Sequence, residues 1–488
     1  MVRTLLASLL GAALLGCASS PSSDPASADP AGVASQAGRD GGGVVDTVIR
    51  GGTVVTMDPA RRVLEGGSVV IRGPEIVAVL PVGEAPPRAR RVIDATGHLV
   101  IPGLVNTHGH AAMVLFRGIA DDMALMEWLN DFIFPAEART VDEDFVYWGT
   151  LLAAVEMVRS GTTTYSDMYY FEDAVARATA EVGMRGVLGQ TVIGFKAPDY
   201  ATPEAALAGT EQFIARWREH PLVVPSVAPH ALYTTDVAVV RRCAELARRT
   251  GVPFQIHANE SPAEDEAVRQ RCGATSVELL AREGLLVPRT LIHHGITLSA
   301  AERAALAKAG AGVSHNPESN MKGASGLADV DALRAAGVAV GLGTDGPAGN
   351  NNLDLFEELD TCAKVHKLLA KSPTAMPARE VFELATLGGA RALGLADRIG
   401  SLEPGKLADV VLIDARVPEL TPLYDVYSQL VYAVKGANVR TVLVHGKPVV
   451  VDREVRTVDV SRILREARRL QRKVLENLAA FRREKRKG

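Results

Sequence analysis

The sequence is poor in cysteine, has no surplus of positive charge and, away from its N-terminus, contains no long apolar run. Its 4 cysteines are Cys17, Cys243, Cys272 and Cys362. None stands in C-x-x-C spacing, so neither a cysteine-based zinc site nor a disulfide framework is suggested. Lys and Arg number 53 against 57 Asp and Glu, a formal net charge of -4, so no basic surface invites nucleic acid. No internal stretch approaches the roughly 18 consecutive apolar residues that a membrane-spanning helix requires. What is present, 47% hydrophobic and 23% charged residues over 488 positions, suits a globular chain with ample material for a core.

The N-terminus is the exception. "MVRTLLASLLGAALLGCASS" has a short n-region carrying Arg3, then an apolar stretch ending Leu14-Leu15-Gly16-Cys17. That pattern reads as an export signal, and L-L-G-C resembles the lipobox of bacterial lipoproteins, in which Cys17 becomes the lipidated first residue. The next stretch, "ASSPSSDPASADPAGVASQAGRDGGG", has no apolar period and reads as a flexible tether. The expectation is a signal over 1–16, a tether over 17–43, and an exported lipoprotein anchored on the periplasmic or outer side, touching the membrane only through Cys17.

After the tether, "VVDTVIRGGTVVTMDPARRVLEGGSVVIRGPEIVAVL" alternates short strands with Gly-Gly, Asp-Pro and Gly-Pro turns. The same texture returns in "IGSLEPGKLADVVLIDA" and "VRTVLVHGKPVVVDREV", which predicts one small β-sandwich domain assembled from residues 44–100 and 397–456. Residues 457–488 are basic, with Ile463, Leu470, Val474, Leu478 and Phe481 at near-helical spacing, and predict a C-terminal helix packing one face on the body.

Between the flanks, over 101–396, eight apolar runs alternate with helix-like segments: "HLVIPGLVNTHGH", "GTTTYSDMY", "RGVLGQTVI", "LVVPSVAPHALY", "PFQIHANE", "TLIHHGI", "GVSHNPESN" and "VAVGLGTDG". Eight such units predict an α/β fold, a (β/α)8 TIM-like barrel whose active site lies at the C-terminal strand ends. The polar residues gather there. His108 and His110 end the first run, Asp167 the second, His230 the fourth, His257 and Glu260 the fifth, His294 the sixth, His315 the seventh and Asp345 the eighth. Residues i and i+2 of a strand face one side, so His108 and His110 can grip one ion, with His257 and Asp345 completing an N/O set that leaves a position for water. Glu260, three residues beyond His257, is expected near that water without binding the metal.

H-x-H after the first strand, H-x-x-E at the fifth, His at the sixth and "GTDG" at the eighth resemble the amidohydrolase superfamily, in its adenosine-deaminase-like branch. "NTHGHAAMVLFRGIADDMALMEWL", "FEDAVARATAEVGMRGVLGQ", "SHNPESNMKGASG" and "GLGTDGPAGNNNLDLFEEL" are similar to the 5'-methylthioadenosine/S-adenosylhomocysteine deaminases and their chlorohydrolase relatives, over about residues 45–455. The resemblance implies His108, His110, His257 and Asp345 as metal ligands, Glu260 as proton shuttle, and His294 beside the attacking water. It implies Glu127 on the ribose hydroxyls and His230 on the purine. His293 carries no implied role, and His315 is expected to order the "SHNPESN" loop.

The implied reaction is zinc-dependent hydrolysis at C6 of an adenine nucleoside, with one zinc ion per chain, although iron or manganese would fit the same ligands. The substrate is a small molecule, and assembly as a homo-oligomer is left open. A binuclear amidase would need a carboxylated lysine ending the fourth strand, where "VAPHALY" has none. Two alternatives are a deaminase or chlorohydrolase of another heterocycle, such as a triazine, guanine or pterin, and a non-catalytic solute-binding lipoprotein. The second gives no reason to gather four ligands and a free glutamate. One departure bears on the substrate tail: Gln190 stands where some relatives carry an arginine.

Overall fold

The computed structural model describes residues 43–485. The expected export signal, Cys17 and nearly all of the tether lie outside the described residues, as do residues 486–488.

All eight predicted runs form strands: Leu104–Asn106, Thr162–Tyr169, Arg185–Val192, Val223–Pro229, Phe254–Ala258, Thr290–His294, Gly312–His315 and Ala339–Leu342. They pair in chain order in one parallel sheet. The Thr107 N–H donates to the Leu342 carbonyl at 2.9 Å, joining the last strand to the end of the first and nearly closing the barrel. The second and third strands are buried at every position, as a parallel sheet covered by helices requires.

The helices outside are set by local chemistry. Asp142 accepts the Phe145 N–H at 2.8 Å and opens helix Glu143–Arg159. Ser299 and Glu302 form a reciprocal capping box at the start of Ala300–Ala309, and Gly310, at φ +65°, ends that helix.

The first apolar run divides between two sheets. Its leading half, His98–Pro102, pairs parallel with Val45–Val55 and antiparallel with Val410–Asp414. The chain then crosses to the barrel at Gly103, where a Cβ would lie 2.1 Å from the Thr163 hydroxyl, so no larger residue fits. The predicted β-domain from both chain ends is present, and its strands hydrogen-bond as a single mixed sheet of nine among the described residues. That sheet curls back on itself: the Ile76 N–H donates to the Lys406 carbonyl and the Gly405 N–H to the Ile76 carbonyl, both at 2.8 Å. Ile49, Val69, Ile71, Val410 and Leu412 fill the resulting interior.

The C-terminal helix runs Val460–Lys485 and buries Ile463, Leu470 and Val474 against Phe134–Thr140 and Glu143–Arg159. Its charges meet the same two helices, with Lys473 on Asp142 at 2.5 Å and Glu484 on Arg139 at 2.6 Å. The expected packing role is met. Among the described residues no helix is long and apolar enough to cross a membrane.

Candidate active site

Barrel closure brings strand ends that are far apart in sequence to one place. His108 and His110 follow the first strand, and the His108 carbonyl accepts the Asp345 N–H at 3.0 Å, tying that loop to the one after the eighth strand. Asp345 Oδ1 then lies 3.3 Å from His108 Nε2 and 3.5 Å from His110 Nε2. Two overlapping sets of three donor atoms result, His108–His110–Asp345 and His108–His257–His294, each with its atoms within 4.8 Å of one another. His294 and Asp345 hold their positions with left-handed φ values of +72° and +61°, a conformation that non-glycine residues adopt at a cost and that clusters at functional sites.

The donor set fits a divalent ion. His110 Nδ1 donates to the Met168 carbonyl at 2.7 Å and His257 Nδ1 to the His230 carbonyl at 2.9 Å. A carbonyl can only accept, so each ring carries its proton on Nδ1 and keeps the Nε2 lone pair for a ligand. Both ring nitrogens of His108 are buried without a hydrogen-bond partner, an arrangement that a bound cation relieves. Burial pushes the His108 imidazole down to about 3 and also lowers His257 and His110, favouring the neutral form that binds metal. Burial works the other way on Asp345, but the charges of His108, His294 and His110 hold its carboxyl well below the usual range.

Glu260 stands beside this cluster, its Oε1 3.7 Å from His294 Nε2. Burial raises its pKa against the opposing effect of His294. His294 Nδ1 donates to Asn320 Oδ1 at 2.8 Å, and Ser319 donates to Asp345 Oδ2 at 2.6 Å. Both supporting residues sit on the short helix Pro317–Lys322.

His230, His257, Glu260, His294 and Asp345 line one cavity that opens to solvent at its mouth. Its remaining walls include Met113, Leu125, Trp128, Ile133 and Phe134. Burial lowers His230 to about 3, and its Nδ1 donates to the Thr234 hydroxyl at 2.8 Å.

Glu127 is not brought in. It closes the short helical segment Leu125–Glu127 with its side chain exposed, while Leu125, Trp128 and Leu129 of the same region face the cavity. An amphipathic turn with three apolar groups inward leaves its carboxylate outward. Gln190 is also spent elsewhere, donating to Asp199 Oδ2 at 2.7 Å.

Three other strand-end residues have supporting tasks. Asp167 Oδ1 accepts the Ala111 N–H at 2.6 Å and so braces the H-x-H loop. His293 stacks behind His108 with ring centroids 3.8 Å apart, and its Nε2 meets Gln255 Oε1 at 3.1 Å. His315 Nε2 pairs with His366 Nε2 at 3.0 Å. Ser319 and Asn320 were not singled out from the sequence, although both lie in the "SHNPESN" stretch whose polarity was its signal. Glu137, which lines the cavity and accepts hydrogen bonds from the Tyr169 and Tyr170 hydroxyls at 2.7 and 3.3 Å, was also missed.

Comparison with known proteins agrees with this geometry. The chain is 48% identical over 431 residues to a 5-methylthioadenosine/S-adenosylhomocysteine deaminase of Syntrophobacter fumaroxidans, covering 88% of this chain and 98% of the relative. It is 43% identical over 428 residues to a 5'-deoxyadenosine deaminase of Methanosarcina acetivorans, covering 87% and 97%. A solved adenosine deaminase from Xanthomonas campestris with bound zinc superposes with a TM-score of 0.86 at 38% identity, over 88% of this chain and 99% of that one. The profile of the amidohydrolase family matches residues 99–449, and the chain belongs to that family.

Proposed function

We propose that this protein removes the 6-amino group of an adenine nucleoside by hydrolysis, giving the inosine analogue and ammonia, with 5'-methylthioadenosine, S-adenosylhomocysteine and adenosine as the candidate substrates. The observation that carries this reading is the placement of Glu260 next to His294 and Asp345, within one cavity and against a cluster of neutral histidines. The names of the relatives point to the same substrate class.

His108, His110, His257 and Asp345 would hold one divalent ion, for which zinc is proposed. When bound, such an ion supplies a nucleophile by lowering the pKa of water from about 15.7 toward about 7. Glu260 takes a proton from the attacking water and delivers it to ring N1, which makes C6 electrophilic. His294, fixed by Asn320, orients the attacking oxygen toward C6, and Asp345, fixed by Ser319, holds the same oxygen from the other side. His230 meets the purine from the cavity wall. The remaining proton of the attacking oxygen passes by way of Glu260 to the 6-amino group, and ammonia leaves as the tetrahedral carbon collapses.

The test is ammonia release from a panel of aminopurine nucleosides and triazines, alongside metal analysis of the purified protein. Deamination of an adenine nucleoside with about one ion per chain is expected. Turnover of triazines alone, or two ions per site, overturns the reading.

We further propose that the chain is exported and anchored through a lipid on Cys17, on the strength of the L-L-G-C sequence. Globomycin should then cause the uncleaved precursor to accumulate, and Cys17→Ser should remove the protein from the membrane fraction. Intact protein in the cytoplasm with Met1 attached would sink this proposal.

A further inference from the structure

Lys322 is the sole lysine or arginine among the described residues that line the cavity. It closes the short helix Pro317–Lys322, and its ammonium is clasped by the Asp121 carboxylate and by Asn351 Oδ1. The side chains of Lys322 and Asp121 are 31% and 34% exposed, so the pair sits at the mouth within reach of an entering substrate. Asp122 lines the mouth beside it.

We propose that this rim selects adenine nucleosides with an uncharged 5'-substituent, and that Asp121 imposes the choice by occupying Lys322. The proposal rests on the deaminase reading above. A nucleoside whose 5'-tail ends in a carboxylate brings a negative charge to a mouth that already carries Asp121 and Asp122. The one cation there is already neutralised. Capturing it would exchange one ion pair for another and leave Asp121 unpaired beside the incoming charge, so discrimination comes from the repulsive partner. A methylthio, methyl or hydroxyl group meets no such charge and rests against the apolar wall of Met113, Leu125 and Phe134.

The experiment compares kcat/KM for 5'-methylthioadenosine, for 5'-S-(3-carboxypropyl)-5'-thioadenosine, whose tail ends in a lone carboxylate, and for the uncharged carboxamide of the latter. Wild type should favour 5'-methylthioadenosine over the carboxylate by at least about tenfold, with the carboxamide recovering most of the difference. Asp121→Asn releases Lys322 and should narrow the gap at least about fivefold, chiefly through KM for the carboxylate. Adding Lys322→Met should abolish that gain, and Asp121→Ser provides a second route to it if the Asn variant misfolds. Equal use of the carboxylated and neutral substrates by wild type overturns the proposal. So does an Asp121 variant that shifts all three substrates alike. Failure of every nucleoside to release ammonia would instead remove the deaminase reading and this selectivity with it.

Discussion

Glu260 separates proton transfer from metal binding. It belongs to neither set of clustered donor atoms, yet it stands within 3.7 Å of His294. Glu260→Gln preserves shape and hydrogen-bonding reach while removing the carboxylate that moves the proton. Metal content should stay near wild type while kcat falls by at least about 10²-fold. Loss of metal would make Glu260 a ligand, and a full rate would assign the proton to another group. His108, His110, His257 and Asp345 lie together at the ends of barrel strands as the sequence led one to expect, because strand ends are legible from apolar runs followed by polar residues. Glu127 lies exposed and outside the cavity lining, because its direction depends on which face of a short helical turn goes inward. Ser319 and Asn320 escaped notice because a hydroxyl and an amide after a strand look the same whether they hold a catalytic group or merely shape a turn.

At the scale of elements, the C-terminal helix was legible from its apolar spacing, and it behaves as a clamp on the helices that follow the first strand. Leu470 is fully buried between Ile463 and Val474 on its inner face. Leu470→Ala should cost about 2–5 kcal/mol of unfolding free energy by leaving a cavity, read from denaturant midpoints at unchanged m-value. A loss below about 0.5 kcal/mol, the size of a surface substitution, would show that this helix adds little to the fold. The division of "HLVIPGLVNTHGH" was not legible. Both halves are apolar, and an apolar strand does not announce which sheet it joins. Only the absence of room beside Thr163 explains why Gly103 marks the crossing.

For the molecule as a whole, the link between barrel and small sheet passes through a buried ion pair. Arg185, opening the third barrel strand, meets Asp409, just before the strand Val410–Asp414, with side chains 3% and 4% exposed. Asp409 also accepts the His445 N–H at 2.8 Å. Asp409→Ala leaves the Arg185 guanidinium buried and unpaired, and should destabilise the protein by about 3–5 kcal/mol. Metal content of the folded fraction should be unchanged, since the pair lies at the opposite strand ends from the ligands. Thermal unfolding and elemental analysis check the two halves of this prediction, and a change below about 1 kcal/mol, typical of an exposed pair, would contradict it.

The pairing of His98–Pro102 with Val410–Asp414 also sets an order of events in time. At a synthesis rate of about 5–20 residues per second, the earlier strand waits roughly 15 to 60 s before its partner leaves the ribosome. Throughout that interval the nascent chain presents an unpaired apolar edge, the kind of surface that recruits another chain or a holding chaperone. The small sheet therefore closes only after the whole barrel has been made, and a chain released before Val410 would carry His108, His110, His257 and Asp345 and still lack the strand that completes that sheet.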